Sequence, residues 1–143
     1  MIIADTGFWL ALANRRDRHH LAAVDALRHY DEPLITTWPV LTETCHMLAT
    51  RLGAVALERF VSAAAGGSFE LFSLEQKHLA RAAELMRKYR DLPMDLADAS
   101  LVILAESLGT GRILSTDARD FGAYRWKNRK PFSNLLAIRR TPV

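Results

Sequence analysis

The stretch MDLADASLVILAESLGTGRILSTDARD, residues 94–120, decides how this chain is read. Within it Leu96, Ala97, Ala99, Leu101, Val102, Ile103, Leu104, Ala105 and Leu108 place apolar groups nearly all round a helical axis. A helix of that kind is buried, so residues 95–108 are predicted as an internal helix closed by Gly109. Arg112-Ile113-Leu114-Ser115 follows as a short buried strand. Two acids are out of keeping with this. Asp98 lies on the buried helix and Asp117 just beyond the strand. Carboxylates are rarely buried unless they are paired or bound to a metal.

The same alternation of short apolar runs and amphipathic segments extends outward to both ends. Ile2-Ile3-Ala4 reads as a strand, after which Thr6 can cap a helix starting near Gly7 or Phe8. That would leave the Asp5 carboxylate free. Residues 19–30 read as a helix with Leu21, Ala23, Val24 and Leu27 inward, and Leu34-Ile35-Thr36 as a second strand. Pro39 fits the first turn of a helix that runs to Arg51 and stops at Gly53. Residues 54–65 form a further helix ended by Gly66-Gly67, and residues 69–72 alternate like a strand. Residues 74–90 are amphipathic, with Leu79, Ala83, Leu85 and Met86 on the apolar side. Strands alternating with helices predict an α/β fold with a parallel sheet, in one domain over residues 1–143. In such sheets chemistry gathers beyond the carboxyl ends of the strands.

Composition narrows the function. Half of the 143 residues are hydrophobic and 24% are charged, as in a globular protein. One cysteine, Cys45, excludes an intrachain disulfide framework and a four-cysteine zinc module. No apolar run approaches the roughly 20 residues of a membrane span, and Asp5 with no preceding base is wrong for a signal peptide. The expected setting is therefore a reducing cytoplasm. No histidine pair has the i, i+4 spacing of a helical zinc site, and no Gly-rich phosphate loop is present.

The net charge of +3 is unevenly placed. Residues 119–143 carry a balance of +6, and residues 1–118 one of −3. Fifteen of the 19 bases are arginine, which suits bidentate phosphate contact. A solvated basic tail, or one that docks on an acidic partner, reads the same way from charge alone.

Each candidate acid has a structural alternative. Asp5 and Asp117 could be N-caps, Asp95 and Asp98 a capping box, and Glu43 a surface residue at the edge of the Val40–Met47 stripe. Their conjunction points elsewhere. Asp5, Glu43, Asp98 and Asp117 lie on four elements whose ends can meet at one edge of the sheet. Carboxylates gathered there would raise one another's pKa values unless a cation sits between them, and hard oxygens suit Mg²⁺ or Mn²⁺ rather than zinc. Next to an Arg-rich segment, that suggests phosphodiester hydrolysis.

The segments Ile3-Ala4-Asp5-Thr6-Gly7-Phe8, Val40-Leu41-Thr42-Glu43, 94–101 and 113–121 resemble, in order and spacing, the four acidic motifs of PIN-domain nucleases. In particular they resemble those of VapC-type toxins from bacterial toxin–antitoxin pairs. The resemblance covers about residues 2–125. It implies a three-layer α/β/α domain with a central parallel sheet. It also implies a Mg²⁺- or Mn²⁺-dependent endoribonuclease, often a homodimer, acting on RNA and inhibited by a cognate antitoxin. Carried across, Asp5 and Asp98 would be the principal metal ligands, and Glu43 and Asp117 would complete the cluster. Thr6 and Thr116 would be the supporting hydroxyls, with Asp120 an extra acid at the last motif. Arg119, Arg125, Lys127 and Arg129, together with Arg15, Arg16 and Arg18, are expected to track the RNA backbone. The expected rivals are an antitoxin-independent RNA-processing nuclease and a catalytically silent nucleic-acid-binding module.

Overall fold

A computed structural model describes residues 1–138; Arg139 and Arg140, counted above in the basic segment, lie outside the described residues. The order is β1 (Ile2–Ala4), α1 (Thr6–Ala13), α2 (His20–His29), β2 (Leu34–Thr37), α3 (Trp38–Arg51), α4 (Ala54–Ala65), β3 (Glu70–Phe72) and a 3-10 turn (Gln76–His78). Then come α5 (Leu79–Lys88), α6 (Leu96–Leu108), β4 (Arg112–Leu114), α7 (Ala118–Ala123), β5 (Arg125–Trp126), β6 (Lys130–Pro131), β7 (Ser133–Asn134) and α8 (Leu135–Ile138).

Five strands form a parallel sheet in the order β3-β2-β1-β4-β7. Helices flank it in three layers, as expected. Ile2, Ile3, Ala4, Ile113 and Leu114 are fully buried, which is why these strands are continuous apolar runs rather than alternating ones. The all-round apolar character of α6 has the same cause. This helix packs against α3, α5, β2 and β5, so almost every direction from its axis meets protein. Gly109 closes it at φ 73°, in the left-handed region where a glycine costs least.

Because the strands are parallel, the segments after β1, β2 and β4 all emerge at one edge. Two buried hydroxyls lock this edge. Thr37 Oγ1 caps α3 by accepting from Val40 N at 3.3 Å and bonds Ser100 Oγ at 2.6 Å. Ser100 Oγ in turn donates to Ala97 O at 2.6 Å. That chain sets the start of α3 against the start of α6.

Several expectations are corrected. Asp5, not Thr6, caps α1, its side chain accepting from Phe8 N. In α2 the inward residues are Ala23 and Ala26, while Leu21 is 81% exposed and Leu27 44%. Two small side chains three residues apart let α2 lie close on α1, and the leucines turn outward. In α5 Ala82 and Leu85 are buried, whereas Leu79 and Ala83 are exposed, because Ala82, Leu85 and Tyr89, three and four residues apart, form the inward face. Two-residue strands carry no periodicity, so β5, β6 and β7 are not legible in the sequence, and α7 and α8 are too short to show one.

The β5–β6 ribbon is antiparallel and its Trp126 covers Gly111, the residue before β4. A Cβ at Gly111 would lie 2.3 Å from Trp126 Nε1 and 3.2 Å from the Pro131 carbonyl oxygen. Gly111→Ala is therefore expected to displace the ribbon and lower stability by about 1–3 kcal/mol. A urea unfolding midpoint equal to that of the wild type would contradict this packing.

Candidate active site

At the carboxyl edge of the sheet lies a cavity of about 300 Å³ whose lining includes Asp5, Thr6, Glu43, Asp98, Thr116 and Asp117. All four acids singled out in the sequence are brought to this one space. Each comes from a different element: the end of β1, helix α3, the first turn of α6 and the loop after β4.

Asp5 is the most enclosed, 7% exposed. One oxygen accepts from Phe8 N at 2.9 Å and the other from the Ser115 hydroxyl. Burial pushes its carboxyl up to about 6; the bonds from Ser115 and Phe8 oppose the rise, and the charge of Asp117 adds to it. Ser115 is itself fixed by Asn134 of β7. Asn134 Oδ1 accepts from Ser115 N at 3.2 Å, and Asn134 Nδ2 donates to Ser115 O at 3.0 Å. Neither residue stands out as a site residue in the sequence. The one signal is a small hydroxyl at the strand end, and Ser115 shares it with the adjacent Thr116.

Asp98 and Asp95 form a reciprocal cap at the start of α6. Asp95 Oδ1 accepts from Asp98 N at 2.8 Å, and Asp98 Oδ2 accepts from Asp95 N at 3.3 Å. Burial pushes the Asp98 carboxyl up to about 8, followed in effect by the charges of Asp95 and then Glu43. Burial also raises Glu43, a hydrogen bond from Thr6 opposes this, and a shared hydrogen bond with Asp95 raises it further. Asp95 thus caps the helix and joins the acidic group as well. Thr6, expected beside the first acid, serves Glu43.

Asp117 is exposed and caps α7, its Oδ1 accepting from Asp120 N at 3.0 Å. Asp117 N donates to Ser115 Oγ at 2.9 Å, so one hydroxyl ties Asp117 to Asp5. Asp120 is not among the residues lining the cavity. Burial raises its carboxyl, and a hydrogen bond shared with Asp117 adds to that. Thr116 closes on Gly7 so tightly that a Cβ there would lie 1.9 Å from Thr116 Oγ1. Glycine is required at that position by the approach of the β4 loop. Tyr124, fully buried, has no hydrogen-bond partner for its hydroxyl among the described residues. Burial, then the Asp98 charge, hold it well above the usual phenol range, so it stays protonated.

The basic cluster expected near the acids is divided. Arg119 sits in the first turn of α7, two residues from Asp117. The Arg125 guanidinium is engaged with the carbonyls of Gly122, Ala123 and Tyr124 at 2.9, 3.2 and 2.9 Å, closing the end of α7. Lys127 and Arg129 are in the β5–β6 ribbon, where Lys127 N donates to Glu106 Oε2 at 2.7 Å. Glu106 and Asp98 lie at opposite ends of α6, about 12 Å apart along its axis at 1.5 Å per residue. The chain turns back after α7, and this carries Lys127 and Arg129 away from the acids.

The donor set suits a hard divalent cation: oxygens only, from carboxyls that burial and mutual repulsion have raised. Among the described residues no three His, Cys, Asp or Glu side chains are grouped closely enough to hold an ion unaided.

A family model described as "PIN domain" matches residues 2–127. Ribonuclease VapC26 of Mycobacterium tuberculosis (strain ATCC 25618 / H37Rv) is 32% identical over 124 residues, covering 87% of this chain and 92% of that protein. Two solved structures share the fold. The Mycobacterium tuberculosis toxin VapC20, titled as cleaving the sarcin–ricin loop, superposes with a TM-score of 0.78 at 21% identity, over 83% of this chain and 92% of its own. A toxin–antitoxin complex from Klebsiella pneumoniae gives a TM-score of 0.64 at 18% identity, over 86% and 92%.

The raised carboxyls make the metal-free protein sensitive to pH. An acid whose folded pKa lies above its unfolded value stabilises the fold fully below the unfolded value. That contribution is lost as pH rises through the folded one. For Asp98 the window runs from 3.8 to about 8. In chelator, the melting temperature is expected to fall across that window, and Asp98→Asn to flatten the fall and melt higher than wild type at pH 8. Thermal scans at several pH values decide this, and a variant that melts lower at pH 8 contradicts it.

Proposed function

The chain belongs to the PIN-domain family, and on that premise we propose that it is a divalent-metal-dependent endoribonuclease, the toxin of a toxin–antitoxin pair. One observation carries the reading: Asp5, Glu43, Asp98 and Asp117, from four separate elements, line a single cavity. The ribonuclease relative and the toxin fold support it. Neither the antitoxin-independent nuclease nor the silent binding module is favoured by a specific observation here. A single PIN-like domain with a cytoplasmic setting goes with this reading. No helix among the described residues is long and apolar enough to cross a membrane.

Asp5 and Asp98 are the residues to hold the ion, with Glu43 and Asp117 completing the acidic group. Bound Mg²⁺ or Mn²⁺ lowers the pKa of a coordinated water and screens the phosphate charge. The chain's own residues do the rest. Ser115 and Phe8 N fix the direction of the Asp5 carboxylate, and Asn134 fixes Ser115. Thr6 orients Glu43. Asp95 holds Asp98 at the mouth of α6, its Oδ1 accepting from Asp98 N. Asp120 supports Asp117, and Arg119 offers a phosphate contact beside it.

A cationic side chain of the antitoxin reaching these carboxylates gives inhibition an electrostatic basis. Trp38, Leu79 and Leu96, 48%, 47% and 40% exposed, form an apolar shelf beside Glu43 and Asp95. A shelf of that kind supports a homodimer.

Asp5→Asn and Asp98→Asn are expected to abolish Mg²⁺-dependent cleavage of a structured RNA while keeping the wild-type circular dichroism spectrum. Ser115→Ala, one bond removed from the ion, should lose about 10- to 100-fold. Wild-type rates in both aspartate variants would sink the assignment. In cells, expression of the chain alone should arrest growth, and co-expression of a cognate antitoxin should relieve the arrest. Harmless expression of folded, active nuclease would favour the antitoxin-independent reading.

A further inference from the structure

We propose that the RNA backbone leaves the acidic cavity along a groove edged by Arg51, Arg15 and Arg16, beside the α1–α2 turn, and not across the β5–β6 ribbon. The proposal rests on the ribonuclease reading above and names where that substrate runs. The cavity that holds the four acids is also lined by Arg51, the last residue of α3, and by Asp17 of the α1–α2 turn. A narrower cleft continues from it, lined by Leu10, Asn14, Asp17, Arg51 and Leu52. Leu10, Asp17 and Arg51 belong to both, so one groove joins the acids to the turn.

The turn has a set shape. Asn14 N donates to Leu10 O at 3.0 Å, Asn14 Oδ1 accepts from Arg16 N at 3.0 Å, and Asp17 Oδ1 accepts from His19 N at 2.8 Å. Asn14 and Asp17 thereby use their side chains on the turn's own backbone and leave Arg15 and Arg16 displayed to solvent. Ion pairs among the described residues engage Lys77, Arg81 and Arg112, and none engages Arg15, Arg16 or Arg51. Arg18 is turned to His19, its Nε 3.1 Å from the ring. Arg51 thus lines the groove that joins the acidic cavity to the turn, and the unpaired Arg15 and Arg16 stand in that turn between its lining residues Asn14 and Asp17. They offset the repulsion that this pocket exerts on a polyanion, and their forked donors suit phosphate oxygens. The ribbon carrying Lys127 and Arg129 offers no such continuity.

The test is the affinity of a fluorescently labelled RNA hairpin across a salt series, with Ca²⁺ replacing Mg²⁺ to suppress cleavage. Each phosphate contact on a single strand contributes about 0.7 to the slope of log affinity against log salt. The triple variant Arg15→Gln/Arg16→Gln/Arg51→Gln is expected to lose about two units of slope, and Lys127→Gln/Arg129→Gln none. Arg51→Gln alone, losing about 0.7, keeps the test decisive if the triple variant melts early. A wild-type slope in the arginine variants, or a loss confined to the ribbon variant, overturns the path while leaving the ribonuclease reading intact. A wild-type protein that binds no RNA at any salt overturns that reading and the path with it.

Discussion

Asp5 carries a carboxylate into a region where Ile2, Ile3, Ala4 and Phe8 are fully buried, and an acid in such a place is tolerated only when its oxygens are bonded. Two of the bonds it receives reach in different directions. Phe8 N belongs to the helix that Asp5 itself starts, so that bond sets the exit of the chain from β1. The Ser115 hydroxyl comes from the neighbouring strand, 110 residues later in the sequence. Ser115 in turn takes the Asp117 N–H and is held by Asn134 of the edge strand. The centre and one edge of the sheet, and two of the four acids, are therefore tied through one buried carboxyl.

Apart from Glu43, which lies in the body of α3 behind its cap Thr37, the acids of the site are also the caps of its helices. Asp5 starts α1, Asp95 and Asp98 start α6, and Asp117 starts α7. A parallel sheet turns every following helix so that its amino end faces the same edge, and amino ends of helices favour negative charge. That field helps the fold accept a crowd of carboxyls, but it does not cancel their burial. Asp5 and Asp98 remain raised to about 6 and about 8. Each capping carboxyl gives one oxygen to the backbone at a helix start, which fixes its orientation. A cap and a functional carboxyl are one residue here rather than competing descriptions.

Positive charge is distributed by the same topology. After α7 the chain folds back as a ribbon against Glu106 and Gly111, at the end of α6 remote from Asp98. Arg81, held to Glu106 at 2.6 Å and to Asn128 at 3.1 Å, fastens the ribbon there. Bases that are neighbours of the last acid in sequence thus become distant from it in space. Arg51 and the α1–α2 turn, distant from it in sequence, border its cavity.

The sequence by itself determined the fold class, the parallel sheet, the burial of α6 and the identity of the four acids around the cavity. These rest on period and composition, which are local: Ile2-Ile3-Ala4 and Ile113-Leu114 can only be buried strands, and Asp98 on an apolar helix has to be accounted for wherever the chain goes. The tertiary structure alone decided which hydroxyl serves which acid, so that Ser115 takes the place expected of Thr116, and Thr6 serves Glu43. It alone brought Asp95 into the acidic group, turned Leu21 and Leu27 outward, and parted Lys127 and Arg129 from Asp117. Each of these depends on how elements far apart in sequence approach one another. Hydrogen bonds and charges act over a few ångströms of space, and no spacing along the chain encodes that distance.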